Sequence, residues 1–258
     1  QRNFLPCRPM KVVPLAEVSS REWDALSDLS DSAWLHHDRA WIDLESRYFW
    51  AGQHSFALLD RGEIMALQPL YSGQLGFERL LHSGLHRHTG LALRPGLSDG
   101  EISALRKHAM RQIRQVALEQ AADRIQLNVQ NLTPASRSLA REEIPFWVTD
   151  HDFFLGLALG PGGIVPAPGM STCQADQIVE LTLPEEVLFG RLEESCRRAV
   201  RKGTASGLVF TRHSGAEAIS SYYRIAELSA QRTGESLAAL AYYQDIEKAL
   251  GPRDHMAV

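Results

Sequence analysis

The sequence is poor in several things, and each shortage excludes a class of protein. It has only three cysteines, Cys7, Cys173 and Cys196, widely spaced and odd in number. That excludes a disulfide scaffold or a zinc site built on cysteine pairs, and it suits a reduced, cytoplasmic compartment. No apolar run approaches the roughly 18 residues that a membrane-spanning helix requires. The longest apolar stretches, such as 153–159, are strand-sized and contain glycine. No secretory leader opens the chain. It begins Gln1-Arg2-Asn3 without methionine, so it reads as a processed or trimmed product. Neither sign of charge dominates: 27 Lys and Arg stand against 31 Asp and Glu, for a formal charge of −4. That balance excludes a protein that coats DNA or carries an acidic tail. No heptad pattern is sustained, which excludes a long coiled-coil arm.

What is present alternates between strand and helix patterns. Residues 10–15 read as a first strand. Ser19 is a helix cap ahead of Trp23, Leu26 and Leu29 at helical spacing. Residues 34–48 read as one helix with Leu35, Trp41, Leu44 and Tyr48 along one side. Residues 55–59 and 63–71 form a hairpin across Asp60-Arg61-Gly62. Residues 75–88 read as a strand pair or an irregular strand. The clearest helix opens at Ser98-Asp99-Gly100-Glu101, where Leu105, Ala109, Ile113, Val116 and Ala117 recur at steps of three and four. Arg106, Arg111 and Arg114 lie off that stripe. Residues 124–129 alternate as a half-buried strand does. A short helix is expected from Thr133-Pro134 to Glu143, then strand over 145–159.

Gly160 to Gly163, followed by Pro166, Pro168 and Gly169, is the most loop-like stretch and marks a boundary. After it, 178–183 reads as strand. Thr182-x-x-Glu185 reads as a capping box with Pro184 in the first turn. Leu188, Leu192, Cys196 and Ala199 line one face of a helix ended by Gly203 or Gly207, with Cys196 buried and inert on that stripe. Residues 208–211 read as strand, 217–229 and 237–250 as helices, and 255–258 as the start of a strand. The pattern predicts an α/β (α+β) fold of layered mixed sheets flanked by helices, with domains 8–172 and 176–258.

The chemistry-bearing residues cluster late in the chain. Between Arg191 and Arg212 six basic residues face two glutamates, a net charge of +4. Arg198 and Lys202 share a helix face, with Arg197 and Arg201 on another. Such cations suit a ligand phosphate, although cations near a helix C-terminus also complement its dipole. Arg232 precedes a helix-ending Gly234 and either reaches a cleft or caps the helix. Tyr222, Tyr223, Tyr242 and Tyr243 line a pocket or fill a core. His82, His86 and His88 have the same parity. No acidic residue or cysteine lies nearby in sequence, so exposed or substrate-facing histidines are expected rather than a metal site. Of His36 and His37 only one can share a face with any partner. No Ser-His-Asp or Cys-His arrangement emerges, and no catalytic residue is named.

Three elements resemble the FemAB-like acyltransferases of the GNAT superfamily, associated with peptidoglycan and exopolysaccharide. The first is Leu183-Pro184-Glu185-Glu186 leading into Arg197-Arg198-x-x-Arg201-Lys202 and then Gly207-x-x-Phe210. The second is Gln231-Arg232-Thr233-Gly234-Glu235-Ser236. The third is the pair Tyr242-Tyr243. The opening, with Trp34 and Trp41 before a Gly62-Glu63-Ile64 hairpin, is compatible with the family's first unit.

The resemblance implies tandem GNAT-like mixed sheets, the second partial, with about 80–100 residues expected after Val258 by ordinary domain size. It implies transfer of an acyl or aminoacyl group to an amine of a nucleotide-linked or lipid-linked cell-envelope or polysaccharide precursor. The amine attacks a thioester or aminoacyl ester directly. It implies Arg198, Arg201, Lys202, Arg232 and Tyr243 as substrate- or phosphate-binding residues. The donor stays open between acetyl-CoA and aminoacyl-tRNA, because neither a coiled-coil arm nor the usual glycine-rich CoA loop is present. Arg94 to Gly100 and Gly160 to Gly163 are weak candidates for phosphate cradles. Two further readings remain: a non-catalytic GNAT-like module of an envelope assembly system, and a plain acetyl-CoA-dependent N-acetyltransferase. No metal and no DNA partner are expected.

Overall fold

The computed structural model describes residues 10–49, 52–84, 90–129, 147–160, 163–166, 172–179, 182–209 and 211–253. The expected helix at 133–143, His86 and His88, and the expected strand at 255–258 lie outside these residues. The chain divides into two compact units, residues 1–139 with 151–175 and residues 140–150 with 176–258.

The first unit opens with strand β1 (Lys11–Pro14), helix α1 (Ser20–Leu29) and helix α2 (Arg39–Tyr48). Ser19 caps α1 by accepting the Glu22 N–H, as its sequence suggested. Trp23 and Leu26 are buried, but Leu29 is exposed, because the buried face continues through Ser27 and Ser30 instead. The single helix expected over 34–48 is broken. A 3-10 turn at Leu35–His37 precedes Asp38, which is extended, and α2 starts only at Arg39. The break has a tertiary cause. The Trp23 indole N–H donates to the His37 carbonyl at 2.6 Å, and the Ser27 hydroxyl to Asp38 Oδ1 at 3.2 Å. Asp24 of α1 accepts the Arg39 N–H at 2.9 Å, which satisfies an orphan donor of α2 from outside the helix.

Strands β2 (Gly52–Gln53), β3 (Phe56–Asp60), β4 (Glu63–Gln68), β5 (Tyr71–Leu75), β6 (Glu78–His82) and β7 (Ala92–Leu93) follow. The β3–β4 turn is two residues, Arg61 at φ 52° and Gly62 at φ 86°. Two positive φ angles match the twist of the flanking strands, and glycine at the second supplies one of them without strain.

Helix α3 (Asp99–Glu119) carries the core stripe Leu105, Ala109, Ile113, Val116 and Ala117, all buried as its period required. Ser98 accepts the Glu101 N–H while Glu101 accepts the Ser98 N–H at 2.9 Å, a capping box that starts the helix. Replacing Ser98 with alanine is expected to cost about 1 kcal/mol in urea unfolding, and glycine only a few tenths. Strand β8 (Arg124–Val129) then pairs parallel with β6, a pairing that needs a crossover, and α3 supplies it.

Strands β9 (Trp147–Gly160), β10 (Gly163–Pro166) and β11 (Thr172–Val179) complete the sheets. Among the described residues one sheet runs β1-β3-β4-β7 and the other β10-β9-β8-β6-β5-β2, with β11 also on β9. Strands β9 and β10 pair antiparallel, with Gly160 opposite Gly163. The strand expected at 178–183 sits earlier in the chain, as β11.

The first unit has a core on each side of its sheets. Phe56, Leu58, Ala66, Leu81, Ile125 and Leu127 pack against α3. Val13, Ala57, Leu67 and Tyr71 pack on the other side with Trp23, Leu26 and Ile42 of α1 and α2. The alternation Phe56, Ala57, Leu58 between the two cores is the period-two signature of a strand buried on both faces.

The second unit holds helices α4 (Glu185–Arg191), α5 (Glu194–Ala205), α6 (Ala216–Thr233) and α7 (Leu240–Leu250). Helices α6 and α7 pack through Ile219, Tyr242, Ile246 and Leu250, all buried. Glu247 of α7 accepts the Gly215 N–H at 2.8 Å, at the start of α6. Gly234 ends α6 at φ 76°.

Four expectations fail here. The helix expected to run unbroken from Pro184 is two helices, interrupted at Leu192 and Glu193. Its N-cap is Pro184, with no side-chain cap bond, so the Thr182–Glu185 box is not formed. Cys196 is exposed, not buried. The strand expected at 208–211 is absent among the described residues, where Leu208 and Val209 are exposed.

Candidate functional site

Helix α5 carries the basic cluster. Arg198, Arg201 and Lys202 are spaced i, i+3 and i+4, so their side chains leave neighbouring parts of one helix side. All three are exposed. Arg197 has a different task. Its guanidinium donates to Gly190 O at 2.8 Å and to Leu192 O at 2.6 Å, capping the end of α4. It also pairs with Glu194 at 2.6 Å. That spends Arg197 on holding the α4–α5 bend and leaves the other cations outward.

Arg201 lies 5.5 Å above the Phe189 ring and 3.6 Å from Glu194. Arg197, and more weakly Arg201, hold the Glu194 carboxyl below the usual carboxylate range. An arriving phosphate would compete with Glu194 for Arg201, while Phe189 keeps the guanidinium plane oriented. Arg198 and Lys202 meet no carboxylate among the described residues, which leaves them available to an anion. What the cluster can do is bind a phosphate or diphosphate group.

The other two residues expected in the site lie elsewhere in the unit. Tyr243 of α7 is the centre of an aromatic group, with ring centroids 5.7 Å from Tyr222, 5.6 Å from Tyr223 and 5.4 Å from Tyr242. At these separations the Tyr243 ring packs edge-on or tilted against each of the other three. Burial first, and the Tyr222 and Tyr223 phenols second, push the Tyr243 hydroxyl above its ordinary pKa. It therefore stays protonated and able to donate. Arg232 sits exposed in the last turn of α6, with no hydrogen bond or ion pair to either group among the described residues. The structure thus gathers Arg198, Arg201 and Lys202 by helix geometry, gathers the tyrosines separately, and joins Arg232 to neither.

A polar cluster in the first unit was not legible as a group. Tyr71 of β5 and His82 of β6 are register partners, with rings stacked at 5.6 Å. Glu45 of α2, almost fully buried, acts electrostatically on both. His82 is wholly buried, not exposed or substrate-facing as expected. Desolvation lowers its pKa to about 4, against a smaller opposing pull from Glu45. The Gly84 N–H donates to His82 Nδ1 at 3.1 Å, so the neutral ring carries its proton on Nε2. Burial, with Glu45 and Asp43 behind it, raises Tyr71 well above its ordinary value. His37 is buried too. Its Nδ1 accepts the Trp34 N–H at 3.0 Å, which leaves Nε2–H to donate to Gly90 O at 2.7 Å. The sequence singled out His82 for its parity with His86 and His88, but neither Tyr71 nor the acidic partner on α2 was legible beside it. Among the described residues no group of three metal-ligating side chains forms, and no helix is long and apolar enough to cross a membrane.

No protein-family model matches the chain, and no curated protein matches it. Solved structures do. FemX superposes with a TM-score of 0.54 at 15% identity, covering 94% of this chain and 55% of FemX. A conserved protein of Enterococcus faecalis V583, described as a probable N-acyltransferase, covers 55% of this chain and 33% of its own at 12% identity and TM-score 0.33. The ribosomal-protein-S18-alanine N-acetyltransferase of Escherichia coli covers 69% of this chain and 97% of its own, at 12% identity and TM-score 0.33. Scores at the level of the last two carry no weight. The chain spans about half the length of FemX, 55%. Over the part the two have in common, this chain has the mixed α/β fold of FemX.

Proposed function

We propose that the protein is an N-acyltransferase that moves an acyl or aminoacyl group onto an amine of a cell-envelope or polysaccharide precursor in the cytoplasm. The observation that supports this reading most is the FemX-like fold over 94% of the chain. The FemAB-like motif residues add to it. In this reading residues 8–172 form a first GNAT-like unit and 176–258 the start of a second. Arg198, Arg201 and Lys202 hold the phosphates of a nucleotide-linked or lipid-linked precursor, with Arg232 and Tyr243 at the same substrate.

The chemistry asks little of side chains. The deprotonated acceptor amine attacks the carbonyl carbon of the donor. A C–N bond forms, the C–S bond of an acetyl-CoA-type thioester or the C–O bond of an aminoacyl ester breaks, and the amine proton leaves to solvent or base. Holding the two reactants in contact supplies much of the rate.

The test is binding. Nucleotide-linked sugar precursors are expected to bind the wild-type chain, and Arg201→Ala and Arg198→Ala to weaken them about tenfold each, the scale of one charge-assisted phosphate contact. Affinity unchanged in both variants overturns the assignment of α5. Thermal shifts with acetyl-CoA and with aminoacyl-tRNA separate the two donor classes.

A further inference from the structure

No Ser-His-Asp spacing is legible along the chain, yet strand pairing in the first unit brings a serine and a histidine together. Strand β2 lies at the edge of its sheet and pairs antiparallel with β5, Gly52 opposite Ser72. The His54 N–H donates to the Leu70 carbonyl at 2.8 Å, which carries the pairing one residue beyond β2. Gly52, His54 and Ser72 therefore share one face of the strand pair. On that face His54 Nε2 lies 2.9 Å from Ser72 Oγ. This is the separation of a nucleophile and its base. Both side chains are half-buried, so the pair is in reach of solvent.

Gly52 keeps the space for them. A Cβ at this position would stand 2.3 Å from Ser72 Oγ and 2.9 Å from His54 Nε2, closer than side-chain carbons approach such atoms. The backbone does not demand glycine here, since Gly52 is not among the residues with positive φ. What demands it is the hydroxyl and the ring that stand over it.

The ring suits the role of a base. Burial lowers the His54 pKa, against a smaller opposing pull from Glu119 at the C-terminal end of α3. The imidazole is then neutral at pH 7 and has a lone pair to offer. With its proton on Nδ1, Nε2 accepts from the Ser72 hydroxyl. The Glu119 charge favours the imidazolium that forms when the ring takes that proton.

We propose that Ser72 is a reactive serine that takes an acyl group from an activated ester or thioester, with His54 as its base. Ser72 Oγ attacks the carbonyl carbon. A C–O bond to the serine forms, and the C–O or C–S bond to the leaving group breaks. The hydroxyl proton passes to His54 Nε2 and from there to the leaving alcohol or thiol. Water then opens the acyl-serine to a carboxylic acid and free Ser72. This acylation goes beyond the direct amine attack of the acyl-transfer reading and does not depend on it.

The experiment is covalent labelling of the full chain, with tryptic mass spectrometry to locate the adduct. A fluorophosphonate, whose serine adduct water does not readily open, is expected to modify Ser72 in the folded chain and not in urea. The two acyl arms are p-nitrophenyl acetate, an oxygen ester, and acetyl-CoA, a thioester, each quenched in acid. Acetyl on Ser72 is expected, and the arm that reacts identifies the leaving group. His54→Gln keeps an acceptor for the hydroxyl but no basic nitrogen. It is expected to slow fluorophosphonate labelling about a hundredfold, the scale of a lost general base, with far-UV circular dichroism unchanged. Gly52→Ala is expected to displace the pair and slow labelling too. Labelling as fast in His54→Gln or in urea as in the folded wild type overturns the proposal. So does a Ser72 that neither the fluorophosphonate nor either acyl donor modifies.

Discussion

Replacing Trp23 with alanine is expected to bring the first unit to the edge of unfolding. Trp23 is fully buried between α1, α2 and the sheet, in a cluster with Leu15, Ile42 and Leu67. Removing a buried indole costs about 3–5 kcal/mol through lost transfer energy and the cavity left behind. The indole N–H also holds the His37 carbonyl at 2.6 Å, inside the turn that separates the 3-10 segment from α2. Leaving that buried acceptor without its donor adds about 1–3 kcal/mol. The sum is comparable to the whole stability of an ordinary domain, about 5–15 kcal/mol. Urea unfolding followed by far-UV circular dichroism reads the loss. Trp23→Phe keeps most of the volume and isolates the hydrogen bond, so it is expected to fall between wild type and alanine. A cost below about 1 kcal/mol for the alanine variant contradicts the packing described for α1 and α2, given the size of the side chain removed.

The second large effect is acid sensitivity from His82. Its folded pKa is about 4, below an ordinary value of 6.5. A histidine with a lowered folded pKa binds fewer protons when folded than when unfolded. Stability is therefore complete above pH 6.5 and falls as pH drops from 6.5 to about 4, with no further loss from this group below that. The depth is about 3 kcal/mol, from 1.36 kcal/mol per pH unit. Protonating Nδ1 also sets two donors, the ring and the Gly84 N–H, against each other. His82→Gln retains an acceptor for Gly84 and cannot titrate. The stability of wild type relative to this variant, in a series of urea unfolding curves, is expected to fall on acidification through that window. Parallel pH dependences contradict a buried neutral imidazole at this position.

Both predictions concern residues that the sequence presented only in part. Trp23 was legible as a core residue from its helical spacing after Ser19. Its bond to His37 was not, because it joins residues fourteen apart whose meeting depends on where α2 begins. The same contact explains why 34–48 reads as one helix but folds as two pieces. Periodicity continues across Asp38, while Trp23, Ser27 and Asp24 from α1 fix the break. His82 drew attention through its parity with His86 and His88. The partner that matters, Glu45, is a charged residue in mid-helix, where a solvated side chain is the ordinary reading.

Helix α3 and the β3–β4 turn were the most readable elements, because their signals are local. A capping box, a strict apolar stripe and an Arg61-Gly62 turn need no distant partner. The α4–α5 break was the least readable. No Gly or Pro occupies 191–193, and the apolar stripe Leu188, Leu192, Cys196 runs through it. The guanidinium of Arg197, folded back onto the carbonyls of Gly190 and Leu192, gives the end of α4 the partners that a continuing helix would have supplied. That is a competition between local propensity and one charged side chain, and the pattern alone does not show which wins. The consequence for the candidate site is direct. Arg197, Arg198, Arg201 and Lys202 read alike as basic residues, but the bend consumes Arg197 and leaves Arg198, Arg201 and Lys202 on the outside of α5.

The central claim is amine acylation, and mass spectrometry of the acceptor tests it most directly. The purified chain is incubated with a nucleotide-linked envelope precursor carrying a free amine, once with acetyl-CoA and once with aminoacyl-tRNA. The account predicts that the precursor gains the mass of one acyl or aminoacyl group with one of the two donors, and that Arg201→Ala slows the gain. A precursor whose mass is unchanged with both donors, from a chain shown to be folded by circular dichroism, contradicts it.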